Sequence, residues 1–407
     1  MSGLLFDLRS SLRGLRHRPG HALVVVGVLA LGLSAGLAVF TYINAFHQPF
    51  PGVDDRGLVR VFEGDDENPY LDLPYLDYRD YASAEATSEG LAATQPFYAA
   101  SVRHEAMTEV AFLEAVSGSY FSVLGARTSL GRGLSAEDDR PGADPVAVLS
   151  HEWWQRSFGG EPSVLGSTIY LNFRPFTVVG VASPQFLGTA SSFRPDVWVP
   201  FAPFKDRYTG WAARAEDREI PLVRVYGRVP REGSAAGVQA ALGVLAQGLD
   251  ETFPRKARPR RLHLGRASWI DPAARASETP TVRLMLAAAA VFLLLACANV
   301  ANLLLSRTAG RRREIAVRAA LGASPIRLFR QVLAENVLLS GVAGVLALAL
   351  AGPASARLGS YFARPSVWGA NVSREATLDL RVVLVALALS LATGVAAGLL
   401  PALQAWS

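Results

Sequence analysis

Apolar residues are distributed along this chain in two ways: long runs that no charge interrupts, and short stretches in which apolar and polar positions alternate. The first long run, Ala22 to Asn44 (ALVVVGVLALGLSAGLAVFTYIN), contains no charged side chain. As a helix rising about 1.5 Å per residue, it is long enough to cross a hydrocarbon layer of about 30 Å. Runs of the same kind occupy residues 284–306 and 382–404, and Val337 to Ala351, extended backward past Glu335 to the turn with Val332 and Leu333, makes a third within 332–352. Together they predict four transmembrane helices. Arg9, Arg13, Arg16 and Arg18, in the leader 1–21, look like the charged start of a signal peptide. The run behind them is longer than the apolar region of such a peptide, and Leu33-Ser34-Ala35 is a poor cleavage site, so the segment is expected to remain as a span.

The alternating stretches lie between the first two spans, in residues 45–283. LVRVFEG (Leu58–Gly64) alternates as a half-buried strand does. PVAVLS (Pro145–Ser150) leads into HEWWQRSFGG, a helical stretch closed by Gly159 and Gly160. STIYLNFRPFTVVGVAS (Ser167–Ser183) then predicts two strands joined at Asn172 to Pro175. LVRVYGRVP (Leu222–Pro230), an apolar-periodic helix from Gly233 to Asp250 and RRLHLGRA (Arg260–Ala267) form a strand-helix-strand unit. The segment is long enough to bury a core of its own. The expected fold class is therefore a membrane protein of four transmembrane α-helices, with a large α+β extracytoplasmic domain inserted between helices 1 and 2.

Composition agrees with a membrane protein: half of the 407 residues are hydrophobic and 18% are charged. The formal net charge of +5 brings a nucleic-acid partner into question. Lys205 and Lys256 are the only lysines, however, and no nucleic-acid-binding fold is recognisable, so none is expected. Cys297 stands alone, which excludes an intramolecular disulfide and a cysteine-based metal site. Ser150, His151 and Glu152 are neighbours whose side chains point to different faces, so they cannot form a relay by themselves. The acidic run Ser135 to Asp144 lacks the alternate-position ligands of a calcium loop and is expected to be a solvated loop. No Gly-x-x-x-x-Gly-Lys-[Ser/Thr] segment occurs. If ATP drives this protein, another polypeptide hydrolyses it. No cofactor, metal or catalytic residue is predicted.

Arginines near the span ends fix the expected orientation, because positive loops stay in the cytoplasm. The leader and the loop 307–331 are both arginine-dense and are separated by two spans. Both are placed inside, with residues 45–283 and the short loop 353–381 outside and the C-terminus back in the cytoplasm. Within the first and fourth spans, Gly32-x-x-x-Gly36 and Gly394-x-x-x-Gly398 have the small-residue spacing that lets helices pack closely, although Gly/Ala-rich spans also give this spacing by chance. Asn299 and Asn302, one turn apart, either bond to a neighbouring helix or reach the interface.

In the inner loop, Arg307, Arg311, Arg312, Arg313, Glu314 and Arg318 precede a break at Gly322. The pattern predicts a helix from about Arg311 to Leu321 with Gly322 as its left-handed cap. A second helix is predicted with Ser324 as N-cap and Pro325 at its first position, running on into the third span. REIAVRAALGASPIRLFRQVLAENVLLSGVAG (Arg313–Gly344) resembles the cytoplasmic loop and following helix of the MacB/FtsX family of ABC-transporter permeases. The leader, the run VSGSYFSVLGARTSLGRGLSAEDDRPGADPVAVLSHEWW, CANVANLLLSR and GLLPALQA are similar to the same family, in order. The likeness extends to the duplicated orphan permeases common in acidobacteria.

The resemblance implies a noncatalytic permease of the bacterial inner membrane. Arg313, Glu314, Ile315, Arg318, Leu321 and Gly322 would dock on a cytoplasmic ABC ATPase and transmit its work to the periplasmic domain. It implies further partners: a second permease copy or homologous half, a periplasmic partner and membrane lipid. The sequence stops at Ser407, where family members continue with a basic tail or a second half; a single half, a truncated product and a subunit needing a partner permease all remain open. The competing expectation is an ATPase-independent, membrane-anchored binding or signalling module.

Overall fold

The computed structural model describes residues 19–45, 50–65, 67–84, 90–104, 107–189, 194–205, 213–230, 233–255, 259–268, 272–310, 325–362 and 379–406. It divides into two compact units, His47–Ser277 with Pro365–Val372, and the helical segments Met1–Phe46, Glu278–Arg364 and Ser373–Ser407.

The helical unit begins with α1 (Pro19–Ala45). The central unit follows with β1 (Leu58–Glu63), α2 (Tyr75–Ala82), β2 (Leu91–His104), β3 (Met107–Val116), α3 (Tyr120–Leu124), β4 (Thr128–Gly131), β5 (Val146–Leu149) and α4 (His151–Phe158). It continues with β6 (Thr168–Leu171), β7 (Arg174–Ala182), β8 (Val197–Pro200), α5 (Phe201–Lys205), β9 (Arg224–Arg228), α6 (Ala235–Thr252) and β10 (Leu262–Arg266). The chain then returns to the helical unit as α7 (Pro272–Gly310), α8 (Pro325–Phe362) and α9 (Leu380–Trp406).

Register explains the architecture of the central unit. β1 pairs antiparallel with both β9 and β10, so the strand-helix-strand unit β9-α6-β10 straddles β1. The first half of β2 pairs with β9 and its second half with β6. From there the pairings β2 to β3, β3 to β8, β8 to β5, β5 to β7, β7 to β6 and β6 back to β2 close a ring of six strands. A barrel this narrow is filled by side chains. Alternate residues supply them: Ala100 and Val102, Ala111 and Leu113, Ala147 and Leu149, Ile169 and Leu171, Phe176 and Val178, Val197 and Val199. Residues of the opposite parity, among them Val116, Val146, Val148 and Trp198, pack outward against Tyr120, Phe121 and Leu124 of α3, and a register shift along β7 turns Ala182 to the same side. That both faces are covered accounts for β5 and β8 being buried at every position.

Local signals set the ends of the elements. Ser150 caps α4 by accepting the Trp153 N–H at 3.1 Å, and Gly159 ends it in the left-handed region at φ 63°. The β6–β7 turn is the pair Asn172 (φ 47°) and Phe173 (φ 66°). Asn172 is clamped there, its amide N–H donating to Ser101 O and its side chain accepting from Ser101 N, each at 2.8 Å.

In the helical unit, the segments Ala22–Asn44, Val282–Leu303 and Leu333–Arg357 are long and apolar enough to cross a membrane. The fourth helix, α9, has 27 residues, and its apolar stretch among the described residues is Leu380–Ala396. With 39 and 38 residues, α7 and α8 run about 57 Å each, well beyond the hydrocarbon layer. As the sequence predicts, α8 starts at Pro325 and runs without a break into the third span. Four-residue steps organise the core: Val25, Leu29, Leu33 and Leu37 of α1 lie with Leu339, Ala343, Ala347 and Ala351 of α8.

Candidate functional site

The coupling residues Arg313, Glu314, Ile315, Arg318, Leu321 and Gly322 lie outside the described residues, between the end of α7 at Gly310 and the start of α8 at Pro325. The helix-packing positions can be placed. A Cβ on Gly32 would come within 2.8 Å of the Ala296 methyl on α7, so α1 and α7 touch where the glycine leaves room. A Cβ on Gly36 would meet nothing within 4 Å among the described residues. A Cβ on Gly394 would meet Ser340 Oγ and come within 2.9 Å of the Val337 Cα on α8. Gly398 is in α9, but its surroundings are outside the description. Asn299 and Asn302 are exposed.

The close contact between α8 and α9 is reciprocal. Gly394 of α9 faces Ser340 of α8, and Gly344 of α8 faces Ser390 of α9. Each helix therefore carries Ser-x-x-x-Gly, and the two run antiparallel so that each serine fills the notch of the other's glycine. The serine hydroxyls bond within their own helices, Ser340 to Val337 O at 3.0 Å and Ser390 to Ala386 O at 2.7 Å. Reading only glycine-glycine pairs misses this. The visible signals were SGVAG (Ser340–Gly344) and SLATG (Ser390–Gly394), which belong to the broader small-x-x-x-small pattern. Nearby, Asp379 accepts the Val382 N–H at 2.9 Å at the start of α9 and bonds Asn44 Nδ2 of α1 at 2.7 Å.

Two polar groupings stand out in the central unit. In the first, Asp77 of α2, fully buried, accepts from Arg260 Nε at 2.6 Å, from Arg218 Nη1 at 2.5 Å and from Arg255. Arg255 also pairs with Glu63 of β1, and Arg260 pairs with Asp250 of α6 at 2.6 Å. Burial opposes the charge on Asp77, yet the Arg260 hydrogen bond and the neighbouring guanidiniums hold its carboxyl below the usual range. For Glu63 burial prevails and pushes the carboxyl up, against the pull of Arg255. With their oxygens engaged by arginines, these carboxylates tie the α6–β10 connection to β1 and α2.

The second grouping is the acidic run. Glu137 and Asp144 are exposed, but Asp138 and Asp139 turn inward, so the run is not the wholly solvated loop its sequence suggests. Asp138 is clasped by Arg132 at 2.6 and 2.8 Å and accepts the Ser135 N–H at 2.7 Å. Asp139 accepts from Ala202 N at 2.7 Å and Gly118 N at 3.2 Å, tying its own loop to the start of α5 and to the β3–α3 loop. Burial pushes its carboxyl up to about 6, although those backbone donors oppose the shift. Among the described residues no group of His, Cys, Asp and Glu is arranged to hold a metal ion.

A helix, then an α+β unit, then long apolar helices is the order in which the chain matches known families. The family described as MacB-like periplasmic core domain matches residues 22–245, more than half of the chain, and FtsX-like permease C-terminal matches residues 286–407. The chain belongs to the MacB/FtsX family of ABC-transporter permeases. This MacB/FtsX-family chain is thus a membrane protein with a periplasmic-type domain following its first helix. It is 27% identical over 395 residues to "Macrolide export ATP-binding/permease protein MacB" of Shewanella sp. (strain ANA-3), covering 94% of this chain and 54% of that protein. It is 29% identical over 299 residues to "Pyoverdine export ATP-binding/permease protein PvdT" of Pseudomonas syringae pv. tomato, covering 71% and 38%. The chain therefore spans about half the length, or less, of these relatives. The crystal structure of the periplasmic region of MacB from Actinobacillus actinomycetemcomitans aligns at 18% identity and a TM-score of 0.39, covering 57% of this chain and 94% of that one. On α7 the apolar residues Leu284, Val291, Phe292 and Leu294 are exposed.

Proposed function

We propose that this chain is the permease subunit of an ABC transporter-like complex, in which ATP hydrolysis by a separate polypeptide changes the conformation of the periplasmic domain, for export or for mechanical work outside the cytoplasm. The observation that carries this reading is the pair of family matches in sequence order, a MacB-like periplasmic core domain ahead of an FtsX-like permease region. Four spans place both termini in the cytoplasm of a bacterial inner membrane. Arg313, Glu314, Ile315, Arg318, Leu321 and Gly322 dock on the cytoplasmic ABC ATPase, in a segment bracketed by two helices long enough to carry motion across the bilayer. Arg307, Arg311 and Arg312 face anionic headgroups, at about 1 kcal/mol each. A second permease copy or homologous half completes the complex, and the central domain meets a periplasmic partner or substrate. The names of the relatives, each of which joins ATP binding and permease in one export protein, support the ABC-transporter part of this reading.

The test is purification from the native membrane, followed by the double substitution Glu314→Ala and Leu321→Ala. An ATPase and a second permease copurify with the wild type, and the double variant loses the ATPase while it still inserts. An ATPase-free preparation, or an unaffected double variant, would leave the anchored binding or signalling module as the better reading.

A further inference from the structure

Between α2 and the loops at the barrel edge lies a cleft of about 350 Å³, which no step of the proposed coupling uses. Tyr75, Tyr78, Arg79, Ala82 and Ser83 form one wall, and Asp139, Pro141 and Ala202 form the other. Its size is within the range of about 300–1,000 Å³ that holds small ligands. The tyrosines are buried to within a few per cent and lie under a cleft whose lining is mixed polar and apolar. Its two charged groups differ in how they are satisfied. Asp139 has both oxygens turned to backbone N–H groups, those of Ala202 and Gly118. The exposed Arg79 guanidinium makes no hydrogen bond or ion pair among the described residues. The cleft thus offers an exposed, planar, double-donor cation, which acts across it on Asp139, beside a lining that is only partly apolar, a combination suited to a carboxylate on a small apolar body.

We infer that this cleft binds a small amphipathic carboxylate, with the anion on Arg79 and the apolar part over Tyr75 and Tyr78. Arg79 sets the charge preference and the tyrosine floor accepts a ring or a short chain. The site is remote in sequence from the ATPase-coupling segment, and its test reads binding alone, so either proposal can fail without the other.

The experiment uses the full chain in nanodiscs and ligand-observed saturation-transfer NMR, with empty nanodiscs subtracted. The probes are 4-phenylbutyrate and its neutral counterpart 4-phenylbutanamide. The wild type binds the carboxylate saturably and the amide at least tenfold more weakly. Arg79→Gln, on an exposed side chain, removes the preference. Ser83→Trp, at the exposed rim, blocks both probes. Equal binding of the two probes, no binding of either, an unchanged preference in Arg79→Gln, or undiminished binding in Ser83→Trp would each overturn the assignment.

Discussion

Alanine does different work in the two units. Inside the six-stranded barrel, Ala100, Ala111, Ala115 and Ala147 share a core with Trp153, Phe176 and Leu149, and their small size balances the large residues around them. In the helical unit, Ala343, Ala347 and Ala351 of α8 lie in a cluster with Leu29, Leu33 and Leu37 of α1, where small size brings backbones together. The solvents explain the contrast. In water, taking apolar area out of contact with solvent drives folding, at about 25 cal/mol per Å². In lipid the alternative to a packed helix is an equally apolar acyl chain, so association depends on closeness of fit. The central domain can therefore bear buried charge if every charge is paired, whereas the helical unit is sensitive to a single extra methyl group at a contact.

The largest expected effect follows from the ion cluster. Asp77→Ala leaves the arginines at positions 218, 255 and 260 short of their common acceptor, two of them nearly inaccessible to water. Removing one partner of a buried ion pair costs about 3–5 kcal/mol. Thermal unfolding of the full chain, followed by the fluorescence of the buried Trp153 and Trp198, measures it. A loss below about 1 kcal/mol would mean that water reaches the cluster, and the contrast between the units would weaken.

The strands that could be read in the sequence were those with local signals. Leu58–Gly64 does form a strand, although it is buried at every position but Val59 rather than on one face; Ser150 caps and Gly159 ends α4, and Asn172 marks the β6–β7 turn. Closure of the barrel was not legible. It depends on β2 changing partners from β9 to β6 partway along, past a register shift between Pro96 and Tyr98, and on β5, β6 and β8 of four residues each. Partner choice over such sequence distances leaves no periodic trace. The same limit applies to Asp77: as the first of two aspartates among the tyrosines of YLDYRDYA, it gives no sign of arginines 141 to 183 residues away. At the helix contacts, Gly32 and Gly394 were visible because glycine is distinctive, while Ser340 and Ser390 look like ordinary polar residues until the facing glycine is seen.

Glycine substitutions sharpen the comparison within the helical unit. Gly394→Val places a branched side chain against Ser340 and the Val337 backbone, and overpacking of this kind costs about 1–3 kcal/mol. Gly36→Val, in a helix of similar composition but with open space around the glycine, is expected to change stability by less than about 0.5 kcal/mol. Unfolding in mixed micelles at graded denaturing detergent compares the two. Equal losses would show that helix propensity, rather than the α8–α9 contact, is being measured.

The smallest effect is the most discriminating. Serine can support a helix contact either by a hydrogen bond across the interface or simply by being small. Here Ser340 and Ser390 direct their hydroxyls to Val337 O and Ala386 O of their own helices, so no interhelical bond is lost when the hydroxyl is removed. Ser340→Ala and Ser390→Ala also keep the side chain small enough for the notch at the facing glycine. Each is therefore expected to cost no more than about 0.6 kcal/mol, the average for polar contacts in membranes, whereas Ser340→Leu should match Gly394→Val because it closes the same gap from the other side. If either alanine variant instead cost about 1.7 kcal/mol, the upper end for such contacts, the hydroxyls would be bridging the helices and small size would not be what joins α8 to α9.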